Sequence, residues 1–218
     1  MSPKSFLLSD DLHAYLLGHC SPLDDVQRQL IADTAELGPV AVMQIAPEQG
    51  AFLQLFAAAT GARRAIEVGT FTGYSALSLV RGMGPDGRLL CCDISEEWTA
   101  VGRRAWEVAG VADRIELRIG AGSDTLAGLP KGEVYDLAFI DADKGGYRRY
   151  YEEILTRMKP NGVILVDNVL WSGQVVDAEA KDADTVAIRT FNDHVAGDER
   201  VDVAMLPLAD GLTVIRKR

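Results

Sequence analysis

The sequence predicts an α/β fold: a seven-stranded, mostly parallel sheet with an antiparallel last strand and helices on both faces. Three observations predict it. Short runs rich in Val, Ile and Leu end in Gly, Asp or Asn and alternate with longer stretches at helical spacing. The runs are apolar nearly throughout, as strands covered on both faces are. The last two runs are separated only by Ala209 and Asp210 before Gly211, enough for a hairpin but too short for a crossover helix, so the final strand reverses direction.

The elements follow in order. Residues 8–19, 22–38 and 47–59 have helical spacing, with Ser21-Pro22 and Pro47 as start signals. Strands are expected at "RAIEVG" (64–69), "GRLLCCD" (87–93), "RIELRIG" (114–120), "YDLAFID" (135–141) and "GVILVDN" (162–168), then "VDVAMLPL" (201–208) and "GLTVIRK" (211–217). No repeat, low-complexity tract or long linker divides the chain. The 218 residues, 48% hydrophobic and 25% charged, fit one domain, with residues 1–60 as a helical cap on a core formed by 61–218.

Charge and composition exclude several function classes. The net charge is −10 and the 22 Lys and Arg are scattered, leaving no basic face for nucleic acid. No apolar stretch approaches the roughly 20 residues that cross a bilayer. Acids interrupt the N-terminal "MSPKSFLLSDDLHAYLL" where a signal peptide would have its apolar segment, so a soluble, cytoplasmic protein is expected. Cys20, Cys91 and Cys92 form no CxxC pair, and strand neighbours face opposite ways, so reduced, buried thiols are expected. His13, His19 and His194 have no ligand spacing and are read as surface or helix residues rather than zinc ligands.

In an open α/β sheet, ligands bind beyond the carboxyl ends of the strands. That rule selects Glu67 to Gly73, Asp93, Gly120 to Gly122, Asp141 to Lys144, and Asp167 with Asn168. Gly69 and Gly73 lie between a strand and an amphipathic helix, where a missing Cβ admits a ligand close to the backbone; a purely structural tight turn explains them equally. They are four apart, without the GxGxxG spacing of a dinucleotide fold. Asp93 ends the second strand, placed either to accept from both ribose hydroxyls of an adenosine or to cap the helix that starts near Ser95. Glu67 is a carboxylate inside an apolar strand and needs a cation or donors, such as a ligand's ammonium. This E-x-G-x-x-x-G turn, followed 26 residues later by an acid, resembles the S-adenosylmethionine site of class I methyltransferases, which implies a Rossmann-like core. The resemblance implies Asp93 on the ribose, Gly69 against the methionine part and Ser75 near its carboxylate.

Two strand ends carry "IDADK" and "VDN". Brought together, Asp141, Asp167 and Asn168 offer two carboxylates and an amide oxygen, hard ligands that suit Mg²⁺ or Ca²⁺. Asp141 and Asp143 could instead cap the following helix, with Lys144 offsetting their charge. Consecutive strand residues face opposite ways, so Asp167 and Asn168 can share an ion only if the chain turns between them, and a turn is expected there.

"MQIAPEQGAFL", "IEVGTFTGYSALSL", "FIDADKGGYRRYYE", "VILVDNVLWSG" and "LPLADGLTV" look, in order and spacing, like the cation-dependent O-methyltransferases. That family includes caffeoyl-coenzyme A O-methyltransferase and, more distantly, catechol O-methyltransferase. The resemblance spans residue 43 to the C-terminus. It implies metal ligation by Asp141, Asp167 and Asn168, with Mg²⁺, Ca²⁺ or Mn²⁺ as the ion. Cofactor contacts are implied at Met43, Ile45, Glu67, Gly69, Ser75, Asp93, Gly122, Asp141 and Asp143. Lys144 falls beside the reacting hydroxyl, as proton acceptor if neutral or stabiliser of a phenolate if charged. Trp171 falls in the acceptor pocket or packs under a loop.

Chelation of two adjacent hydroxyls would orient the acceptor and favour its ionised form, which makes a vicinal diphenol the expected substrate. Residues 174–195 depart from the plant pattern, with no Tyr or Trp for a phenylpropanoid ring, so a small or secondary-metabolite catechol is expected over a caffeoyl-CoA ester. A homodimer is implied by the family. The rivals are a nicotinamide-dependent oxidoreductase on the same sheet, a metal-independent methyltransferase and a catalytically dead binding module.

Overall fold

A computed structural model describes residues 8–132 and 134–218; the first residues of the expected cap and of the N-terminal segment, 1–7, lie outside them. The described elements run α1 (Asp10–Gly18), α2 (Asp25–Ala35), α3 (Pro47–Thr60), β1 (Arg64–Val68), α4 (Tyr74–Gly82), β2 (Arg88–Asp93), α5 (Glu96–Val108), β3 (Ile115–Ile119) and α6 (Gly122–Gly128). They continue with β4 (Tyr135–Ile140), α7 (Tyr147–Leu155), β5 (Met158–Val166), α8 (Ala183–Ala196), β6 (Val201–Leu206) and β7 (Leu212–Lys217). Short 3₁₀ turns cover Gly38–Met43, Lys144–Gly146 and Trp171–Val176.

The seven strands form one sheet in the order β3-β2-β1-β4-β5-β7-β6. Pairings from β3 through β5 are parallel, and β7 runs antiparallel to both β5 and β6, in keeping with the short connection at residues 207–211. Strand order reverses between β1 and β4. Chains leave these two strands in opposite directions there and open a crevice at their carboxyl ends.

Strand alternation divides the core. Ala65, Leu89, Cys91, Leu137, Phe139 and Leu165 pack with Leu30, Leu53, Leu77 and Trp106 of α2 to α5. Ile66, Leu90, Cys92, Ala138, Ile140 and Val166 pack with Leu126, Tyr151, Ile154 and Phe191 of α6 to α8. Cys91 and Cys92 thus face opposite layers as free, buried thiols, while Cys20 is only half-buried, contrary to expectation.

Several boundaries differ from those the sequence predicts. The second helix starts at Asp25, not at Pro22, because Asp24 and Gln27 form a reciprocal capping box. It ends at Ala35, where the chain passes into the Gly38–Met43 turn. β5 begins at Met158, four residues early, since Tyr135 pairs with Met158 and an irregularity absorbs Lys159 to Gly162 before Leu137 pairs with Val163. Finally, much of the 174–195 stretch that departs from the plant pattern is helical: 183–196 is α8, whose Ile188, Phe191 and Val195 are buried.

Candidate active site

At the end of β1 the Gly69 N–H donates to the Cys92 carbonyl, 2.9 Å, and φ is +88°. A Cβ on Gly69 would lie 1.7 Å from the Asp141 carbonyl oxygen, so only glycine lets the β1 and β4 exits touch at the reversal point. Gly73, at φ +77°, caps α4, and its carbonyl accepts from Trp106 Nε1 at 3.1 Å. Both glycines therefore have structural causes, which their ligand-side position joins rather than replaces.

Asp93 binds the turn directly. Its Oδ2 accepts from the N–H groups of Thr70 and Phe71, both 2.8 Å, and its Oδ1 from Ser95 N–H at 2.8 Å. The α5 cap is Ser95, whose Oγ accepts from Trp98 N–H at 3.1 Å. Asp93 is thus not the helix cap; it is a half-buried carboxylate held rigid at the crest, with lone pairs to spare for hydroxyls.

Glu67 is completely buried, with Cys91 Sγ donating to Oε2 at 3.4 Å and no partner for Oε1 among the described residues. Burial pushes its carboxyl up to about 7, against the opposing pull of Ser75, Thr70 and Cys91. Ser75 is itself buried in the first turn of α4. Gly122 opens α6 against β1, where a Cβ would lie 2.8 Å from Val68 Cγ1. Met43 ends the Gly38–Met43 turn and is exposed, whereas Ile45 joins the core with Leu53 and Tyr74.

The two acidic tips do meet. Ladder bonds carry Asp141 N–H to Val68 and Asp167 N–H to Ile140, 2.9 and 3.0 Å, which aligns the exits of β1, β4 and β5. Asn168 then adopts φ +57°, the turn expected after Asp167, and its N–H donates to Asp167 Oδ1 at 2.8 Å. Lys144, from the 3₁₀ turn after β4, reaches back into the cluster. Its Nζ lies 3.1 Å from Asp141 Oδ1, 2.7 Å from Asn168 Oδ1 and 2.6 Å from Tyr147 Oη. Tyr147 spends its own proton on the Asp167 carbonyl, 3.0 Å, so its oxygen accepts from Lys144. Three acceptors around one nitrogen call for three N–H donors, the complement of an ammonium. Trp171 completes this side, its ring centroid 5.5 Å from Lys144 Nζ.

Crowding of acids shows in their protonation. Asp167 is 2% exposed; burial and the Asp141 charge push it up to about 7, with Asn168, Gln49 and Lys144 pulling back. Burial likewise raises Asp141, opposed by Lys144. The Lys144 ammonium contacts Asp141 and the Asn168 amide and acts on the Asp167 carboxylate through its charge, and further positive charge there would be stabilising. Asp143, by contrast, is exposed and bonded by the Tyr150 hydroxyl.

Sequence reasoning missed Tyr147, Tyr150 and Gln49. Gln49 is 1% exposed and close enough to Asp167 to lower its carboxyl, yet its Nε2 makes no hydrogen bond of normal geometry among the described residues. The signal was present: Gln49, Leu53 and Ala57 repeat at i, i+4 and i+8, a polar residue on the buried stripe of α3. His13 and His194 make acid contacts that sequence spacing did not signal, with Glu48 at 3.1 Å and Glu152 at 2.7 Å, and ligand atoms of His194, Glu152 and Asp198 lie within 4.8 Å of one another.

The profile of the O-methyltransferase family matches residues 19–218. The chain belongs to that family. It is an S-adenosylmethionine-dependent O-methyltransferase of the caffeoyl-CoA O-methyltransferase type, which sets aside the oxidoreductase and the dead binding module. The "Probable caffeoyl-CoA O-methyltransferase 2" of Dictyostelium discoideum is 41% identical over 93% of this chain and 90% of its own. An O-methyltransferase from Bacillus cereus, solved in complex with SAH, superposes with a TM-score of 0.88 at 32% identity, covering 95% of this chain and 97% of that one. A third, from Streptomyces achromogenes, involved in tomaymycin synthesis and solved with SAM, gives 0.87 at 28% identity over 95% and 96%. Among the described residues no helix is long and apolar enough to cross a membrane.

Proposed function

We propose that this O-methyltransferase is divalent-metal-dependent and methylates one hydroxyl of a catechol-like acceptor. The grouping of Asp141 and Asn168 on one ammonium, with the Asp167 carboxylate bonded by Asn168 N–H and raised by the Asp141 charge, carries the proposal. The donor set fits a hard dication: all oxygen, with two carboxylates, one of which burial and the neighbouring Asp141 charge drive up to about 7. When bound, Mg²⁺, Ca²⁺ or Mn²⁺ supplies Lewis acidity that lowers the pKa of a coordinated hydroxyl.

The remaining work falls to the chain. Asp93 holds the ribose; Gly69, Glu67 and Ser75 hold the methionine part; Met43, Ile45, Gly122 and Asp143 line the rest of the cofactor pocket, and Asp141 borders both cofactor and metal. Lys144, as an ammonium with three acceptors, stabilises the developing oxyanion rather than taking its proton. The methyl group passes from sulfur to the acceptor oxygen, and the hydroxyl proton leaves to solvent. Trp171 covers the acceptor ring. Residues 1–60 act as the cap of a single domain, in a cytoplasmic homodimer.

A CoA ester is the second reading, favoured by the name of the Dictyostelium relative. The tomaymycin-linked neighbour favours a secondary metabolite. A methyl-transfer screen over catechols and their CoA esters, with Mg²⁺, Mn²⁺, Ca²⁺ or excess EDTA, decides both questions. Transfer to free catechols that stops in EDTA is the expected result; undiminished transfer in EDTA would overturn the metal role.

A further inference from the structure

The segment after Asn168 holds an unusual backbone. Trp171, Ser172 and Gly173 have φ of +47°, +50° and +81° in succession, within five residues of Asn168 at +57°. For Trp and Ser this left-handed region is strained, and such conformations persist only where surrounding contacts over-determine them. The contacts come from two sides: Asp210 accepts from Ser172 N–H through Oδ1 at 2.6 Å and from Leu170 N–H through its carbonyl at 3.0 Å, and α8 lies against both the Lys144–Gly146 turn and the Trp171–Val176 turn.

Arg189 is the centre of the α8 contacts. Its guanidinium donates Nε to the Val175 carbonyl at 2.9 Å, Nη1 to Ala180 at 2.8 Å, and Nη2 to Gln174 at 2.6 Å and to Asp177. All four acceptors are backbone carbonyls of one segment, and among the described residues no carboxylate pairs with it. One turn later Asn192 Nδ2 donates to the Val169 carbonyl at 2.9 Å, and one turn earlier the Thr185 hydroxyl lies 3.1 Å from Gln174 Oε1. Residues 185, 189 and 192 share one face of the helix, so α8 grips both ends of the strand-exit segment whose middle carries Trp171.

We infer that Arg189 is a positioning residue for the acceptor: its four-carbonyl clamp holds residues 174–180 and thereby fixes the Trp171 ring beside Lys144, setting acceptor affinity and the choice between two hydroxyls. It touches neither cofactor nor acceptor. The inference rests on the proposed acceptor side at Trp171 and Lys144. A planar fork with fixed donors suits this task, whereas a lysine ammonium meets at most three of the four carbonyls.

The test compares wild type with Arg189→Leu and Arg189→Lys in the full-length protein. Three quantities are read: the rate of tryptic cleavage after the exposed Lys181, the acceptor KM and regioisomer ratio with 3,4-dihydroxybenzoate, and the SAH dissociation constant by calorimetry. In Arg189→Leu, cleavage rises about tenfold or more, acceptor KM rises by about tenfold to a hundredfold, and the regioisomer ratio moves toward unity. SAH affinity stays within about twofold, and Arg189→Lys falls between. A merely structural arginine would lower the unfolding midpoint without moving the regioisomer ratio. Wild-type cleavage at Lys181 in the Leu variant, or an unchanged KM and product ratio, overturns the inference. Should the Leu variant lose SAH binding altogether, the Lys variant decides by the same readouts. If wild type methylates no vicinal diphenol, the acceptor class fails and the clamp stands or falls on Lys181 cleavage alone.

Discussion

Lys144 shows how much one residue carries. At 9% exposure it is the only cation within reach of Asp141 and Asn168 among the described contacts. Lys144→Met leaves two crowded carboxylates without it, and removing one partner of a buried pair costs about 3–5 kcal/mol. The unfolding midpoint in EDTA should fall accordingly, and Mg²⁺ should raise it more in the variant than in wild type, read by scanning calorimetry. Equal Mg²⁺ shifts in the two proteins would sink the shared-site argument. Methyl transfer should fall by about 10²–10³-fold. Glu67 gives a second test. Its folded carboxyl lies near 7 against an ordinary 4.5, so the folded state binds the proton more tightly. Stability is then full below about 4.5, declines as pH rises through 7, and stays low above it, a loss of about 3 kcal/mol. Glu67→Gln should remove that decline, so ligand-free variant and wild type match at pH 4.5 and separate by pH 8 in urea unfolding. Parallel curves across the range would refute the assignment. Both residues stood out in the sequence, Glu67 as a charge in an apolar strand and Lys144 beside the acidic tip. Tyr147 did not, because a tyrosine opening a helix carries no sign that its hydroxyl bridges Lys144 and a carbonyl 20 positions away.

Elements were legible where period and punctuation agreed. Every strand appears, since near-continuous Val, Ile and Leu runs ending in Gly, Asp or Asn have few other solutions. The boundaries that shifted are those decided by side-chain contacts: the Asp24–Gln27 box moved the start of α2, and pairing with Tyr135 lengthened β5. Residues 174–195 drew notice in the sequence only for lacking Tyr and Trp, although Ile188, Phe191 and Val195 give α8 an apolar stripe. α1 is the opposite case, a helix found near its expected place that buries none of its residues and is tied to α3 by His13 and Glu48. Deleting α1 therefore removes little packing. The cost should be about 1 kcal/mol, a drop in unfolding midpoint of roughly 2–4 °C. SAH affinity should hold within about twofold by calorimetry, while acceptor KM rises severalfold if α1 closes over the acceptor. Loss of SAH binding on truncation would instead make α1 part of the cofactor site.

At the scale of the whole molecule, β4 carries an aspartate near each end, and its two ends do different work. At the amino end Asp136 Oδ2 accepts from the N–H groups of Arg63 and Arg64, both 2.9 Å, and Oδ1 from Lys159 Nζ at 2.7 Å, joining the starts of β1, β4 and β5. Burial opposes its ionisation, but Lys159 and the Arg64 and Arg63 amides outweigh burial and hold the carboxyl below its usual range. Its contribution is present above the ordinary value of 3.8 and lost as pH falls through the depressed one. At the carboxyl end, Asp141 borders the crevice where strand order reverses. Nothing in residue type separates the two acids; position along a parallel strand does. Asp136→Ala should cost about 2 kcal/mol, because two strand-start amides lose their acceptor, while kcat and KM stay within about twofold. Asp141→Ala relieves the repulsion on Asp167 and costs Lys144 one contact, so its ligand-free stability should change little while methyl transfer is lost and SAH binding largely survives. Five strand residues separate the sites by about 16 Å, far enough for the stability effects of the double variant to add. Urea unfolding of the four proteins, beside their methyl-transfer rates, reads both quantities. A kinetic defect in Asp136→Ala, or a double variant whose stability departs from the sum by more than about 0.5 kcal/mol, would mean that the two ends of the sheet are not independent.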